Sequence, residues 1–249
     1  MLSSKNIVLE AKSISKYFGT ITALENVNLT VRQGECLGVV GDNGAGKSTF
    51  MKVLSGLYKP SIGSLFFEGN KKILNSPKDS QNLGLEMVYQ DLALAGNLPI
   101  GENIFLGREP TKNFGFLKLL DYKKIKKLSE AHLDKLKIHV KSASQKVEEL
   151  SGGQRQAIAI ARATAFNSKI VIMDEPTAAL AIKEVGKVLD LINNLKRIGV
   201  SVIIISHRMD DIFAVCDRVM AIFQGTNFAE SELSKTTRDE VIGWIMGKK

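Results

Sequence analysis

The segment from Gly41 to Ser48 matches the pattern G-x-x-x-x-G-K-[ST], in which a glycine-rich turn cradles phosphate groups. Its glycines allow backbone N–H groups to wrap around the phosphates, and Lys47 can reach the β and γ oxygens. The hydroxyl of Ser48 can ligate Mg²⁺. A structural glycine turn is the weaker interpretation, because a strand pattern precedes the motif and a helical pattern follows it. The predicted nucleotide-binding residues are Gly41, Asp42, Asn43, Gly44, Ala45, Gly46, Lys47, Ser48 and Thr49.

Two carboxylates, Asp174 and Glu175, follow the apolar run Ile170–Met173. Open α/β sheets bind ligands at the carboxyl ends of their strands, so both carboxylates are expected beside the phosphate loop. Asp174 can hold Mg²⁺, directly or through water. Glu175 can accept a proton from, or orient, the water that attacks the γ-phosphate. Together with the loop, this pair indicates hydrolysis of a nucleoside triphosphate.

A third motif, Leu150–Gln154, places a serine and two glycines before the helical pattern Arg155–Ala165. One interpretation is an ordinary helix start that is capped by Ser151. The other is a second anion site at the helix N-terminus, formed by Ser151, Gly152, Gly153 and Gln154. Local reasoning leaves both interpretations open.

The elements that position these motifs follow from hydrophobic patterning. Apolar, β-branched segments at Ile7–Ile14 and Ala23–Val31, and the run Cys36–Val40, predict strands before the phosphate loop. A helix is predicted from Lys47 to Leu57, and Pro60 is expected to stop it because proline cannot continue a helix. The first part of the chain is therefore predicted to be a β region that leads into strand, loop and helix.

The middle of the chain, about residues 91–167, lacks good strand patterns. Within it, Lys123–Leu136 has apolar residues near helical spacing. These residues are Ile125, Leu128, Leu133 and Leu136. A helical insertion is the simplest interpretation.

Strand patterns return at Ile170–Met173 and Val202–Ile205, separated by a helix with an apolar stripe from Ile182 to Leu195. This order predicts a parallel βαβ unit that is buried on both faces. A last strand, Val219–Phe223, and a short helix near Asp239–Met246 follow.

The chain has 249 residues, of which 44% are hydrophobic, so it can form one large domain or a core domain with a subdomain. It has no run of about 18 apolar residues, and its N-terminus lacks the pattern of a signal peptide. A cytoplasmic location is therefore expected. Cys36 and Cys216 are far apart in the sequence and in apolar surroundings, so they are expected to be buried free thiols, with no disulfide framework or metal cluster.

The net charge of +8 comes from scattered lysines, and the densest stretch, Tyr122–Lys127, is interpreted as the solvated face of a helix. No nucleic-acid partner is expected, because no nucleic-acid-binding motif is present and aromatic residues do not interleave with the basic ones. A position near an anionic membrane surface fits the charge equally well.

The order of these motifs resembles the ATP-binding subunit of ABC transporters, over nearly the whole chain, and Leu150–Gln154 matches the LSGGQ signature of that family. The resemblance implies ATP and Mg²⁺ as ligands. It implies an α/β fold: a P-loop NTPase (RecA-like) core with an N-terminal antiparallel β subdomain and an inserted α-helical subdomain. Residues 1–249 would be one ABC ATPase domain, with the core in 1–90 and 168–249 and the helical signature subdomain in 91–167.

The same resemblance implies roles for residues that local reasoning cannot assign. Two copies would pair head to tail, so that the signature of one closes on the ATP held by the phosphate loop of the other. Gln90 would sense Mg²⁺, water and the membrane partner, and it joins Ser48 and Asp174 as a candidate metal ligand. His207 would contact the γ-phosphate.

An aromatic residue of the opening hairpin stacks on adenine in this family, which implies Phe18 or, as the alternative, Tyr17, although either could equally be core packing. The chain departs from the family at Ala181, where most members have an aspartate that communicates across the dimer. Because Glu175 and His207 are both kept, hydrolysis is still expected.

The segments Gln90–Leu94, Glu102–Glu109 and Glu175–Leu180 look like those of ribose, xylose and fructose importers. This implies import of a monosaccharide by a homodimer on an integral membrane permease, at the inner face of the cell membrane, with an extracytoplasmic solute-binding protein. No β-rich regulatory domain is expected beyond Trp244. The alternatives are an ABC importer for another solute, such as branched-chain amino acids, and a soluble ABC ATPase acting on nucleic acid or ribosomes.

Overall fold

A computed structural model describes residues 6–114 and 116–248 of the chain. The strands are β1 (Ile7–Phe18), β2 (Ile21–Arg32), β3 (Cys36–Val40), β4 (Ile62–Phe67), β5 (Asn70–Lys72), β6 (Leu85–Val88), β7 (Thr111–Phe114), β8 (Leu117–Leu120), β9 (Ile170–Asp174), β10 (Ser201–Ile205), β11 (Arg218–Phe223) and β12 (Thr226–Glu232). The helices are α1 (Lys47–Leu54), α2 (Pro77–Asn82), α3 (Ile100–Phe105), α4 (Tyr122–Leu136), α5 (Gly152–Thr164), α6 (Ile182–Arg197), α7 (Met209–Val215) and α8 (Arg238–Ile245).

The central sheet has the strand order β12-β11-β3-β10-β9-β6 and is parallel except for β12. All residues of β3 and β10 are buried, as expected for strands that are covered on both faces. Ile205 of β10 pairs with Val39 on one side and with Asp174 on the other. The carboxyl ends of β3, β9 and β10 therefore lie at one edge of the sheet.

The two faces of this sheet belong to two different hydrophobic cores. Successive side chains of a strand point to opposite faces, so Val171 and Met173 of β9 enter one core and Ile170 and Ile172 enter the other. The first core also contains side chains of α3, α4, α5 and α6. The second contains side chains of α1 and of the N-terminal strands. The helical segment is thus packed directly onto the sheet that carries the site.

The N-terminal strands form a separate antiparallel sheet in the order β2-β1-β4-β5. The β region predicted at the start of the chain is present, and β1 and β2 are longer than predicted. The hydrophobic patterning did not identify β4, β5, β6 or β12, nor the short helices α2 and α7. Strand β5 is short and fully exposed, so it has no buried face for a pattern to reveal.

The segment 91–167, in which the sequence shows no good strand pattern, contains two strands besides its helices. Strands β7 and β8 form an antiparallel hairpin between α3 and α4. All eight of its residues are exposed, so no alternation between buried and polar residues marks them in the sequence. The predicted helix at Lys123–Leu136 is present as α4, and the buried positions Ile125, Leu133 and Leu136 follow the expected spacing.

The two thiols lie together in space, although they are distant in the sequence. Cys36 is buried and Cys216 is half-buried, and both are free. Their sulfur atoms are 3.5 Å apart. Burial is the main cause that raises the pKa of Cys36 above its ordinary value, so the neutral thiol is favoured.

Among the described residues, no helix combines the length and apolar character needed to cross a bilayer.

Helix α1 ends at Leu54, three residues before the predicted end at Leu57. The reason is Gly56, which has φ +76°. A Cβ atom there would lie 2.7 Å from the carbonyl oxygen of Ser76. The chain therefore turns at glycine before Pro60 can act, and this turn sets the end of the helix that follows the phosphate loop.

We expect Gly56→Ala to lower the free energy of unfolding by more than about 1 kcal/mol, because alanine is strained at positive φ and its methyl group meets backbone. Urea denaturation measures the change. The control is Gly186→Ala within α6, where a Cβ meets nothing within 4 Å. This control should instead raise stability by up to about 1 kcal/mol. Equal stability of Gly56→Ala and wild type would contradict the account of the turn.

Candidate nucleotide site

The phosphate loop connects β3 to α1 through two glycines that no other residue can replace without a backbone shift. Gly41 has φ +154°, and a Cβ there would lie 2.3 Å from the carbonyl oxygen of Ile222. Gly46 has φ +106°, and a Cβ there would lie 2.8 Å from the carbonyl oxygen of Ala23. The loop backbone is therefore pressed against its neighbours on one side, which leaves its other side for a ligand.

Lys47 is half-buried at the start of α1. Its ammonium group donates to the carbonyl oxygens of Gly41 and Asp42, at 2.7 and 2.9 Å. Desolvation lowers the pKa of Lys47, while the negative charges of Glu175, Asp174 and Asp42 act in the opposite direction. The lysine is thus held by the loop and faces two carboxylates that are more than a hundred residues away in the sequence.

A cavity of about 400 Å³ lies in front of the loop. Its walls come from the loop, from the start of β2 and from the turn between β11 and β12. The lining residues are Ile21, Thr22, Ala23, Asn43, Gly44, Gly46, Lys47, Ser48, Thr49, Gln224 and Gly225. The predicted phosphate-binding residues from Asn43 to Thr49 therefore border one cavity, apart from Ala45, which is buried.

Asp174 ends β9 and Glu175 follows it at the same sheet edge as the loop. Burial is the main cause that raises the pKa of Asp174, the charge of Glu175 adds to it, and Lys47 and Lys52 oppose it. Glu175 has φ +50°, an uncommon conformation for a residue other than glycine, and its N–H donates to the carbonyl of Ile205 at 2.9 Å. The backbone of Glu175 is thus held in a strained conformation at the edge of the sheet.

The two carboxylate oxygens of Glu175 have different surroundings. Oε1 lies 2.8 Å from Nδ1 of His207, whose side chain is 71% exposed. Oε2 is buried and has no hydrogen-bond partner within the described residues. A buried carboxylate oxygen without a partner is costly, so it marks a place where a water molecule or a cation fits.

Gln90 is exposed and follows β6, whose Val88 pairs with Met173 of β9. It therefore lies near the sheet edge that carries Asp174. The segment after it is anchored by Arg162 of α5, which donates to the carbonyl oxygens of Leu92 and Ala93, both at 2.7 Å. This contact joins the Gln90 loop to the helix that begins at the third motif.

The third motif begins α5 in the way that the capping interpretation predicts. The hydroxyl of Ser151 accepts from the N–H of Gln154 at 3.3 Å, and the side-chain oxygen of Gln154 accepts from the N–H of Ser151 at 3.1 Å. This reciprocal pair is a capping box. It leaves the anion-site interpretation open, because the box satisfies only part of the helix start.

An anionic group, the carboxylate of Glu184 on α6, already lies at this helix start. Hydrogen bonds from the Ser151 hydroxyl, and then from the Gly153 N–H, lower the pKa of Glu184. A Cβ on Gly153 would lie 2.7 Å from Cβ of Glu184, so only glycine allows this approach. Glu184 is not among the residues predicted from the sequence. The only available signal was its position three residues after Ala181, which makes it the N3 residue of α6.

Phe18 and Tyr17 lie at the end of β1 and are both exposed. The ring of Phe18 packs edge-on against Tyr58, with 5.4 Å between the centroids, and the ammonium of Lys16 lies 5.1 Å from its centroid. The backbone N–H of Tyr17 donates to Ser61. Neither aromatic ring borders the cavity in front of the loop, so the cavity does not favour one of them over the other, and adenine stacking by Phe18 or Tyr17 stays a prediction.

A sequence model described as ABC transporter matches residues 24–178, which is more than half of the chain. The chain belongs to the ABC transporter family. A nucleotide-free ATP-binding cassette from an ABC transporter has a TM-score of 0.82 and 26% identity, covering 96% of this chain and 95% of that one. A dimeric ATP-binding cassette in a post-hydrolysis state, bound to ADP and phosphate, has a TM-score of 0.74 and 28% identity, covering 90% and 98%.

Relatives of this ABC cassette include sugar import proteins. The xylose/arabinose import ATP-binding protein of Sulfolobus acidocaldarius is 45% identical over 234 residues, covering 94% of this chain and 92% of that protein. The fructose import ATP-binding protein of Rhizobium meliloti is 40% identical, covering 97% and 95%. The ribose import ATP-binding protein of Caldanaerobacter subterraneus is 39% identical, and its match covers 97% of this chain but 48% of that protein. The chain thus spans about half the length of that relative.

These comparisons confirm the family and the fold class that the sequence resemblance implied. The limits of the core and the helical subdomain, and the roles of the individual site residues, stay predictions. The structure brings Lys47, Asp174, Glu175 and His207 to one sheet edge. Ser151 and Gly153 of the signature instead contact Glu184 of α6, and none of the residues from Leu150 to Gln154 borders the cavity at the phosphate loop.

We expect Lys47→Ala to weaken binding of a fluorescent ATP analogue roughly 10- to 100-fold, the range that loss of a charged hydrogen bond gives. The control is Lys71→Ala, which removes an exposed lysine of the same charge from β5. The control variant should bind as wild type does. An unchanged affinity in Lys47→Ala would exclude the loop as the triphosphate site.

Proposed function

We propose that this ABC cassette is the ATP-hydrolysing subunit of an importer and that the imported solute is a monosaccharide. The observation that carries the proposal is the group of Lys47, Asp174 and the Glu175–His207 pair at the mouth of the phosphate loop. The names of the sugar import relatives support the choice of solute.

The proposed nucleotide contacts follow the chain's own geometry. The loop backbone and Lys47 would bind the phosphates, with Lys47 exchanging its two carbonyl partners for phosphate oxygens. Ser48, Asp174 and Gln90 offer hydroxyl, carboxylate and amide oxygens, which is the ligand chemistry that Mg²⁺ prefers. When bound, Mg²⁺ would neutralise charge on the β and γ oxygens. Phe18 or Tyr17 would stack on adenine.

Glu175 is proposed as the general base and His207 as the residue that orients it. The bond from His207 to Oε1 fixes the carboxylate, and the unpartnered Oε2 is free to accept a proton from the attacking water. Because the His207 side chain is largely exposed, its other ring nitrogen can contact the γ-phosphate. The hydrogen bond from the Glu175 N–H to the carbonyl of Ile205 would hold the base at the sheet edge in its left-handed backbone conformation.

A second copy of the chain is proposed to complete each site. Ser151, Gly152, Gly153 and Gln154 present a helix N-terminus, which is a favourable place for the γ-phosphate of a partner's ATP. The carboxylate of Glu184 would have to leave this place when the partner's phosphate enters. The dimeric arrangement of a structurally similar cassette supports pairing of this kind.

The proposed partners beyond the second copy are an integral membrane permease and, through it, an extracytoplasmic solute-binding protein. The subunit would then lie at the inner face of the cell membrane, where closing and opening of the dimer drive the permease between its access states. Reconstitution with the permease and a panel of binding proteins tests the solute. Stimulation of ATPase activity only by a branched-chain amino-acid binding protein, or only by nucleic acid, would overturn the sugar assignment.

We expect Glu175→Gln to reduce ATP turnover about 10²- to 10⁴-fold, because the amide cannot accept the proton of the attacking water. ATP binding should be kept, and gel filtration with ATP and Mg²⁺ should show an accumulated dimer. His207→Ala should lower the turnover number while the KM changes little. Turnover by Glu175→Gln at the wild-type rate would exclude Glu175 as the base.

The shared site can be tested by mixing two inactive variants. Each dimer of Lys47→Ala has two defective phosphate loops, and each dimer of Ser151→Ala has two defective signatures. A mixed dimer contains one intact site, formed by the wild-type Lys47 of one copy and the wild-type Ser151 of the other. We expect the mixture to recover up to about a quarter of wild-type activity, since half of random dimers are mixed and each has one of two sites. No recovery would contradict a site shared between copies.

A further inference from the structure

The hairpin of β7 and β8 exposes an unusual amount of apolar surface. Phe114 is 70% exposed and Phe116 is 97% exposed. Three leucines of β8, at positions 117, 119 and 120, are also exposed. These side chains lie within ten residues of chain, between α3 and α4.

The register of the hairpin places three of these five apolar side chains on one face. Phe114 pairs with Leu117, and Lys112 pairs with Leu119, so Phe114, Leu117 and Leu119 share a face with the stem of Lys112. All eight strand residues are exposed, so neither face of the hairpin is buried in a core of the protein. A two-stranded hairpin is marginally stable by itself in water. Its apolar face therefore lacks the cover that would stabilise it.

The same stretch of the chain is strongly basic. Residues 111–127 contain six lysines and one acidic residue, Asp121, giving a net +5, compared with +8 for the whole chain. The lysines are Lys112, Lys118, Lys123, Lys124, Lys126 and Lys127, and all are exposed. One of them, Lys126, lies 4.0 Å from Glu130, an exposed pair that leaves the charge accessible.

The hairpin and the basic helix start are held together at Asp121. Its side chain caps α4 by accepting from the N–H of Lys124 at 3.0 Å, and its own N–H donates to the carbonyl of Pro110 at 2.9 Å, at the base of β7. Ile125 of α4 is buried in the core and fixes the first turn of the helix. We call residues 112–114 and 116–127 the basic–apolar surface.

We propose that the basic–apolar surface binds an anionic lipid bilayer directly, with Phe114, Phe116 and the exposed leucines in the headgroup region and the lysines on lipid phosphates. Aromatic and leucine side chains beside a cluster of lysines are the composition that binds the interface of anionic membranes. The net charge of +5 on residues 111–127 complements the negative charge of such a membrane surface. From the sequence, Tyr122–Lys127 was interpreted as the solvated face of a helix, and the net charge of the chain fitted a position near an anionic membrane surface; the apolar hairpin before this helix was not part of that interpretation.

A bilayer fits these residues better than the other two occupants. A nucleic acid would find two phenylalanines to stack on, but the three exposed leucines offer no contact that a base requires. A permease loop could cover the apolar face, but covering it would not explain the six lysines on the hairpin and on the start of α4. The proposal does not depend on ATP hydrolysis, and it places an additional membrane contact on the cassette itself.

The test is co-sedimentation of the full chain with vesicles, without any permease. We expect at least tenfold tighter binding to vesicles of phosphatidylcholine with 30% phosphatidylglycerol than to phosphatidylcholine alone, and binding should weaken as salt rises. Phe114→Ser with Phe116→Ser, and separately Lys123→Glu with Lys126→Glu, should each weaken binding at least tenfold. ATP turnover in solution should stay at the wild-type level in both variants, so this outcome is separable from the proposed hydrolysis.

Matched controls change the same properties elsewhere. Ile73→Ser with Ile182→Ser removes two exposed apolar side chains, and Lys71→Glu with Lys72→Glu reverses two exposed charges on β5. Both should bind vesicles as wild type does, and unchanged thermal unfolding of all variants shows that they fold. The proposal is overturned by absence of vesicle binding, by equal losses in the control variants, or by binding to RNA in place of vesicles. It is also overturned if the hairpin variants keep vesicle binding but no longer co-purify with a permease.

Discussion

The parallel register of β3, β9 and β10 is the constraint on which the rest of the site depends. Ile205 pairs with Val39 and with Asp174, so three strands from separate parts of the chain end at one edge. The phosphate loop leaves β3 at this edge, the carboxylates leave β9, and His207 follows β10. A slip of one residue in any strand would turn its buried side chains to the opposite core and move its functional residues away from the others.

Burial at this edge creates the electrostatic balance of the site. Lys47 is partly desolvated, which disfavours its charge, and Asp174 and Glu175 restore that charge. Burial raises the pKa of Asp174, and the neighbouring charge of Glu175 raises it further. A triphosphate with a divalent cation supplies both signs of charge in the place where each is needed. The charges of the site would thus suit the proposed ligand, an anionic triphosphate with its divalent cation.

Much of this arrangement could be predicted from the sequence, because buried parallel strands are apolar on both faces and their ends are marked by Gly41 and Asp174. The position of Glu184 beside Ser151 could not be predicted, since it depends on how α5 and α6 pack. The β7–β8 hairpin was missed for a related reason: its residues face solvent, so no core imposed a pattern on them. The end of α1 was misplaced because Gly56 turns the chain against Ser76, a contact between distant residues.

The carboxylate of Glu184 at the start of α5 changes how the energy of dimer closure should be understood. In the proposed dimer, closure would exchange the Glu184 carboxylate for a phosphate at the same helix N-terminus, so the number of negative groups held there would stay constant. The free energy of closure would then depend on the difference between two affinities of this helix end, one for the phosphate and one for the Glu184 carboxylate. It would not equal the full affinity for the phosphate. Such an exchange would favour reversible closure, because Glu184 can return to the start of α5 when the phosphate leaves.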